Sequence, residues 1–278
     1  MAVRVVTDST ADIPPAILRE LDITVVPIYV VFGDKAYRDR LDMGEDEFYH
    51  RLSLDGVFPT TAVPSPKDFA DVYSELAKET DEIISIHLTS KESGIYDSAL
   101  LAKDMVQKKC RVEVIDSQTI SMSYGLLAMA AAREAKAGAG LDQVAEMVRR
   151  SVPQTHILFM VDTLKYVVRG GRVSRARGVL GSVLGVKPLL TLKDGHLTLS
   201  TVARTRAKAI ERLYDFAKGF PRAKEAAVLY TTDREEAEAL AGRLRAASTG
   251  VPVHLARVGP ALGTHAGPGA MGVVVREA

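Results

Sequence analysis

Residues 83–99 read IISIHLTSKESGIYDSA. Ile83, Ile84, Ile86 and Leu88 make a short apolar run of the kind a buried parallel strand carries. Thr89, Ser90 and Ser93 then supply three hydroxyls, and Gly94 lets a ligand come close to the backbone. The helix that follows turns its free N–H groups and positive dipole end toward the same place, so the junction suits an anion. A simpler reading leaves Ser90 or Ser93 as an N-cap. Three hydroxyls and a glycine within six positions weigh against capping as the whole explanation.

The amino end repeats the design. Val3, Val5 and Val6 read as a first strand, Thr7-Asp8-Ser9-Thr10 stands at its carboxyl end, and Pro14-Pro15 opens a helix. Ligands of open α/β sheets collect outside the carboxyl ends of the strands, so both hydroxyl-rich loops are expected to face one crevice. Capping by Ser9 or Thr10 is the competing account.

Strands and helices alternate outward from these loops. Strands are expected at 25–32 and 112–115, and helices at 14–21, 44–54, 66–78, 94–109, 123–137 and 141–151. Such a βα succession predicts a parallel sheet covered on both faces, a three-layer α/β/α unit over residues 1–151. Beyond it the pattern changes. Strands at 157–161, 188–192, 196–203, 226–230, 253–258 and 271–276, with helices at 205–218 and 233–247, predict a mixed-sheet α/β domain over residues 152–278. Lys193-Asp194-Gly195 reads as a hairpin turn.

Composition limits the function. The 278 residues are 47% hydrophobic and 26% charged, ordinary for a globular protein. Lys and Arg number 36 against 35 Asp and Glu, which argues against a dedicated nucleic-acid or acidic-membrane surface. A single cysteine, Cys110, no signal-peptide pattern and no apolar run of membrane length lead to the expectation of a cytoplasmic protein without a transmembrane segment. Histidines and cysteine never fall into zinc-ligand spacing, so no metal is expected.

Known catalytic motifs do not fit. Lys91 stands where a Gly-x-Ser-x-Gly elbow around Ser93 needs its first glycine. Gly181 and Gly185 are spaced too closely for a phosphate loop, and Lys187 is followed by Pro188, so no ATP site is expected. No Gly-x-Gly-x-x-Gly follows the first strand. An anion site without an evident catalytic base is what survives.

Two further segments carry polar groups: Thr60 and Thr61 in a proline-stiffened loop at 58–66, and His265 between Gly263 and the Gly267-Pro268-Gly269 turn. With them a resemblance becomes specific. TDSTADIP (7–14), TTAVPSP (60–66), LTSKESGIYDSA (88–99), VIDSQTIS (114–121), YVVRGGRVSRARGVLG (166–181) and GTHAGPGAMG (263–272) resemble, in order, the motifs of the DegV family. That resemblance implies a bacterial carrier that holds a long-chain fatty acid between two α/β domains, performs no catalysis, and presents the carboxylate to a separate ATP-dependent fatty acid kinase. It implies that Thr61, Ser93 and His265 hold the carboxylate, with Gly94 and Ile95 supplying backbone beside it. The chain departs from the family pattern at Ala62-Val63, where Ser-Gln is usual, and at Ile95, where Thr is common. Arg172 matches the family's Gly-Gly-Arg motif, and the resemblance assigns it to the partner kinase or the transferred phosphoryl group rather than to the acyl chain.

The tail needs an apolar tunnel. Val179, Leu180, Val183 and Leu184, spaced by Gly178, Gly181 and Gly185, suit its wall, as they would suit ordinary close helix packing. Lys165, Arg169, Arg172, Arg175 and Arg177 form the densest basic cluster, which is either a solvated face or a partner surface placed on a turn by Gly170-Gly171. No cofactor is expected beyond the bound lipid, and membrane contact, if any, is transient. The alternative from another class is a small-substrate hydrolase with Ser93 as nucleophile and His265 as base, oriented by Asp8 or Asp116.

Overall fold

The structure, a computed structural model, describes residues 3–54, 58–172, 185–248 and 250–277. Its first half runs β1 (Arg4–Asp8), α1 (Pro15–Leu21), β2 (Ile23–Val26), β3 (Tyr29–Phe32), β4 (Lys35–Arg38), α2 (Glu45–Ser53), β5 (Thr60–Ala62), α3 (Pro66–Leu76), β6 (Glu82–His87), α4 (Ile95–Val106), β7 (Arg111–Asp116), α5 (Met122–Lys136) and α6 (Leu141–Ser151). The second runs β8 (Thr155–Met160), α7 (Lys165–Arg169), β9 (Lys187–Lys193), β10 (His196–Ala203), α8 (Arg206–Lys218), β11 (Glu225–Tyr230), α9 (Arg234–Ala247), β12 (Val253–Arg257), α10 (Pro260–Ala266) and β13 (Met271–Arg276).

The fold is α/β with two main sheets. β2-β1-β6-β7 is parallel throughout, and β10-β9-β8-β13-β11-β12 is mixed, with only β11 and β12 paired in parallel. In the parallel sheet β2 and β6 flank β1 on opposite sides, so the strand order reverses at β1 and opens a crevice at its carboxyl end. α3 and α4 cover one face of this sheet, and α5 and α6 the other.

The mixed sheet is buried on both faces, and its sequence alternation shows how. Ala226, Val228, Val273 and Val275 face α8 and α9, while Ala227, Leu229 and Val274 join the core around α5. α5 therefore lies between the two sheets and touches β1 and β6 on one side, β8, β11 and β13 on the other. Its small residues, among them Gly125, Ala128, Ala131 and Ala132, allow that double contact; a methyl group on Gly125 would meet the Ala11 carbonyl at 2.6 Å.

Local signals account for most boundaries. α3 starts on a capping box, in which Ser65 Oγ accepts from the Asp68 amide (3.2 Å) and the Asp68 carboxylate accepts from the Ser65 amide (2.8 Å). The β9–β10 hairpin turns on Asp194 and Gly195, both at positive φ (51° and 78°), as a two-residue turn requires.

One expected strand is divided. Residues 25–32 do not form a single strand: Pro27 has no N–H to continue the ladder, β2 ends at Val26, and β3 turns into a separate antiparallel sheet, β4-β3-β5. The proline-rich loop at 58–66 supplies β5 to that sheet. Residues 165–169, expected on a turn, form the short helix α7, and His265 sits on helix α10.

Candidate functional site

The loops after β1, β6 and β7 meet β5, α7, α10 and the inner face of the mixed sheet around one pocket, about 1060 Å³ of empty space with its mouth included. Ile28, Leu88, Ile157, Phe159, Leu192 and Leu229 give much of its apolar wall. Thr61, Ser93, Ile95, Arg172 and His265 all line it, so residues up to 204 positions apart in sequence meet at one pocket. Gly94 does not line it; it is the exposed N-cap residue of α4. Val179, Leu180, Val183 and Leu184 lie outside the described residues.

The polar groups gather at one place. Thr61, paired with Val30 across β3 and β5, sets its Oγ1 3.2 Å from His265 Nε2. The other ring nitrogen of His265, Nδ1, is buried without a hydrogen-bond partner among the described residues. Burial, reinforced by the positive charge of Arg172, pushes the His265 pKa down to about 4, so its ring is neutral at physiological pH. Ser93 Oγ accepts from the Ile95 amide at 3.4 Å, too long for a strong cap, which leaves the hydroxyl available to a ligand.

Arg172, expected at a partner rather than at the ligand, is the one cation among the described lining residues. Its Nε donates to the Glu92 carbonyl (3.4 Å) and its Nη1 to the Gly170 carbonyl (2.5 Å), which ties it to the residue before Ser93. Gly170 also makes room for the histidine: a methyl group there would stand 2.0 Å from His265 Nδ1. Gly267, at φ 74°, ends α10 directly against the Tyr166 ring, and a methyl group there would come within 2.2 Å of it.

Behind the pocket stand two buried polar networks that sequence reasoning did not find. Asp8 accepts from His87 Nδ1 (2.8 Å) and the Tyr124 hydroxyl (2.7 Å); His87 Nε2 meets Ser85 Oγ (2.7 Å), which accepts from Tyr73 (2.8 Å). The acid–imidazole–hydroxyl order is that of a hydrolytic relay, yet Ser85, His87 and Asp8 have no exposed surface, so no substrate reaches them. In the second network Asp12 accepts from Ser121 Oγ (2.6 Å), the Gly259 amide (2.8 Å) and Arg40 (2.9 Å), and Arg40 also donates to the Arg257 carbonyl (2.7 Å). Burial outweighs Arg40 and these hydrogen bonds and pushes Asp12 up to about 7. Asp12 and Ser121 both hold positive φ, a local cost carried beside the pocket, where Ser121 and Thr10 are lining residues. The motifs TDSTADIP and VIDSQTIS contain these residues, but pairing across the sheet is not visible in either alone.

The relay that the alternative hydrolase reading needs, with Asp8 or Asp116 orienting His265, does not form. Asp8 is committed to His87, Thr10 and Tyr124, and Asp116 to Ser90 (2.6 Å) and Gln118 (2.9 Å), so neither orients His265. An imidazole with its pKa near 4 is also a weak base. Ser9 is neither a pocket residue nor a helix cap: its Oγ accepts from the Ile28 amide (3.1 Å) and fixes the chain as it leaves β2. Among the described residues no group of His, Cys, Asp and Glu could hold a metal ion, and no helix is long and apolar enough to cross a membrane.

An α/β protein of this kind, with an apolar pocket lined also by hydroxyls, an imidazole and a guanidinium, offers the chemistry that an amphipathic anion needs. The chain belongs to the DegV family: a family model described as "Uncharacterised protein, DegV family" matches residues 2–278. A DegV domain-containing protein of Caldanaerobacter subterraneus subsp. tengcongensis is 38% identical over 99% of both chains. The crystal structure of DegV from Bacillus subtilis, a fatty acid binding protein, superposes with a TM-score of 0.93 at 33% identity, covering 100% of each chain. A stearic-acid-binding protein from Eubacterium ventriosum superposes with a TM-score of 0.91 at 28% identity, covering 99% of this chain and 98% of its own.

Proposed function

We propose that this protein binds a long-chain fatty acid, holds its carboxylate at Thr61, Ser93, His265 and Arg172, and presents it to a separate ATP-dependent kinase. The observation that carries the reading is the pocket itself, apolar along most of its wall, with those four polar side chains among its lining residues and Thr61 3.2 Å from His265. Charge-assisted hydrogen bonds to the carboxylate contribute roughly 1.5–3 kcal/mol each before desolvation. Each buried methylene adds about 0.8 kcal/mol, so the tail dominates affinity and the head group sets orientation. Fatty-acid binding by similar proteins in Bacillus subtilis and Eubacterium ventriosum supports the ligand class.

The kinase step rests on the family resemblance and on a chain that carries no phosphate loop of its own. The reading takes residues 1–151 and 152–278 as the two domains between which the lipid lies, and it makes the protein a cytoplasmic carrier rather than an enzyme. Arg172 beside His265 is given to the carboxylate as well as to the phosphoryl transfer, since a guanidinium suits both oxyanions. Arg172→Ala is therefore expected to weaken fatty-acid binding about tenfold and to lower acyl-phosphate formation further when kinase and ATP are added. Unchanged lipid affinity would confine Arg172 to the partner. The reading as a whole is tested by native mass spectrometry and lipid extraction of the purified protein: a co-purifying long-chain acid is expected, and a protein that neither carries nor takes up one would refute it.

A further inference from the structure

The β9–β10 hairpin reaches from the mixed sheet to the loop that carries Ser93, and Glu92 is where it lands. Glu92 Oε1 accepts from the Leu197 amide at 2.9 Å, and His196 Nδ1 lies 3.8 Å from the same oxygen. The Glu92 side chain is only 10% exposed. One step back, Thr89 Oγ1 donates to the Gly195 carbonyl at 2.9 Å. Gly195 is required there on two counts: its φ is 78°, and a methyl group would stand 2.6 Å from Thr89 Oγ1 and 3.0 Å from Lys91 Cγ. The Glu92 carbonyl, for its part, accepts from Arg172.

A carboxylate on the wall of a pocket meant for an anion repels that anion, so it needs a different task. Hydrogen bonding explains it. Leu197 N is a strand amide, and it is satisfied by Glu92; without that acceptor a part-buried donor is left unpaired and the tip of the hairpin has one anchor fewer. The same residue fixes the backbone that Arg172 grips and precedes the hydroxyl that faces the pocket.

We infer that Glu92 is a positioning residue for the carboxylate end of the pocket: it clasps the β9–β10 hairpin to the Ser93 loop and so holds Ser93 and Arg172 in register. Ser93 and Arg172 touch the ligand in this arrangement, and Glu92 acts through them. The inference rests on the fatty-acid reading above.

The test titrates stearic acid and methyl stearate into wild type, Glu92→Ala, Glu92→Gln and Thr89→Val, with unliganded thermal melts alongside. Wild type establishes the reading: if it takes up no stearic acid, the fatty-acid function fails and this inference with it. Given wild-type binding, Glu92→Ala is expected to lose about tenfold in stearic acid affinity while ester affinity stays within about twofold. Glu92→Gln keeps an acceptor for Leu197 and removes the repelling charge, so it restores or exceeds wild-type affinity. Thr89→Val, which loses the bond to the Gly195 carbonyl and the one its Oγ1 accepts from the Lys91 amide (3.3 Å) but leaves the Glu92 clasp in place, shifts in the same direction as Glu92→Ala by less. Unchanged acid binding in Glu92→Ala overturns the inference. Equal loss of acid and ester also overturns it, because it would mean general loosening of the pocket and not misplacement of the head-group contacts.

Discussion

A buried neutral histidine has a definite titration signature. His265 is pushed down to about 4 by burial and by Arg172, so between about pH 4 and 6.5 the unfolded chain binds a proton at this residue that the folded chain does not. Its contribution to stability is thus complete above about pH 6.5 and is lost as pH falls through 4. Asp12, raised to about 7 by burial, works in the opposite sense, losing stabilisation as pH rises from about 4 to 7, so a global melt cannot isolate the histidine. A site-resolved NMR titration can: the imidazole should titrate near pH 4 in the free protein, and a bound carboxylate should move the midpoint upward. A free-protein midpoint near 6.5 would place the ring in solvent. That Thr61, Ser93 and His265 line one pocket was legible from hydroxyl-rich loops and motif order. The Asp8–His87–Ser85 and Asp12–Ser121–Arg40 networks were not, because each joins residues from separate strands and loops whose proximity only sheet order determines.

Among the elements, α7 and α10 are the pair that the site depends on. They meet through glycine: Gly170 at the end of α7 lies against the His265 ring on α10, and Gly267 lies against Tyr166 of α7. Gly170→Ala should push the imidazole away from Thr61. The expected result is weaker fatty-acid binding with an unchanged far-UV spectrum, and a His265 midpoint displaced toward about 6.5. Retention of both wild-type affinity and the low midpoint would show that the ring does not need this contact. Regular elements with strong periodicity or caps, such as α3 and α6, were readable from the sequence. β5 and α7 were not, since a three-residue strand and a five-residue helix are held by neighbours and not by propensity. The fused strand at 25–32 fails for a related reason: its apolar run continues through Pro27 while its hydrogen-bonding partners change.

In the whole molecule the two sheets are joined by α5, and one buried carboxylate holds that helix to the mixed sheet. Glu225 on β11 is clamped by Arg133 of α5, with Arg276 (3.0 Å) and His254 (3.3 Å) on the neighbouring strands. Burial alone would raise its pKa; hydrogen bonds from His254, Arg276 and Arg133 outweigh it and hold the group at about 2. Its stabilising contribution is complete above about pH 4.5 and is lost as pH falls through 2. Glu225→Ala should cost about 1–3 kcal/mol in denaturant unfolding at neutral pH, by removing the buried acceptor that Arg133, Arg276 and His254 share. A loss within about 0.5 kcal/mol would show that apolar packing of α5 suffices. The two-sheet architecture was legible because the βα rhythm of the first half gives way to a hairpin-containing second half. The sharing of α5 by both sheets was not, since a helix apolar nearly all round states that it is buried but not between what.

The central claim is that a fatty acid is held by its carboxylate at Thr61, Ser93, His265 and Arg172, with its tail along the apolar wall. Calorimetric titration of stearic acid and methyl stearate into wild type, Thr61→Val and Ser93→Ala tests it most directly. Wild type should prefer the acid, and each variant should lose roughly 1–3 kcal/mol of acid affinity while keeping its fold and its weaker binding of the ester. Equal affinity of wild type for acid and ester, unmoved by either substitution, would contradict the claim and return these hydroxyls to local support of the backbone.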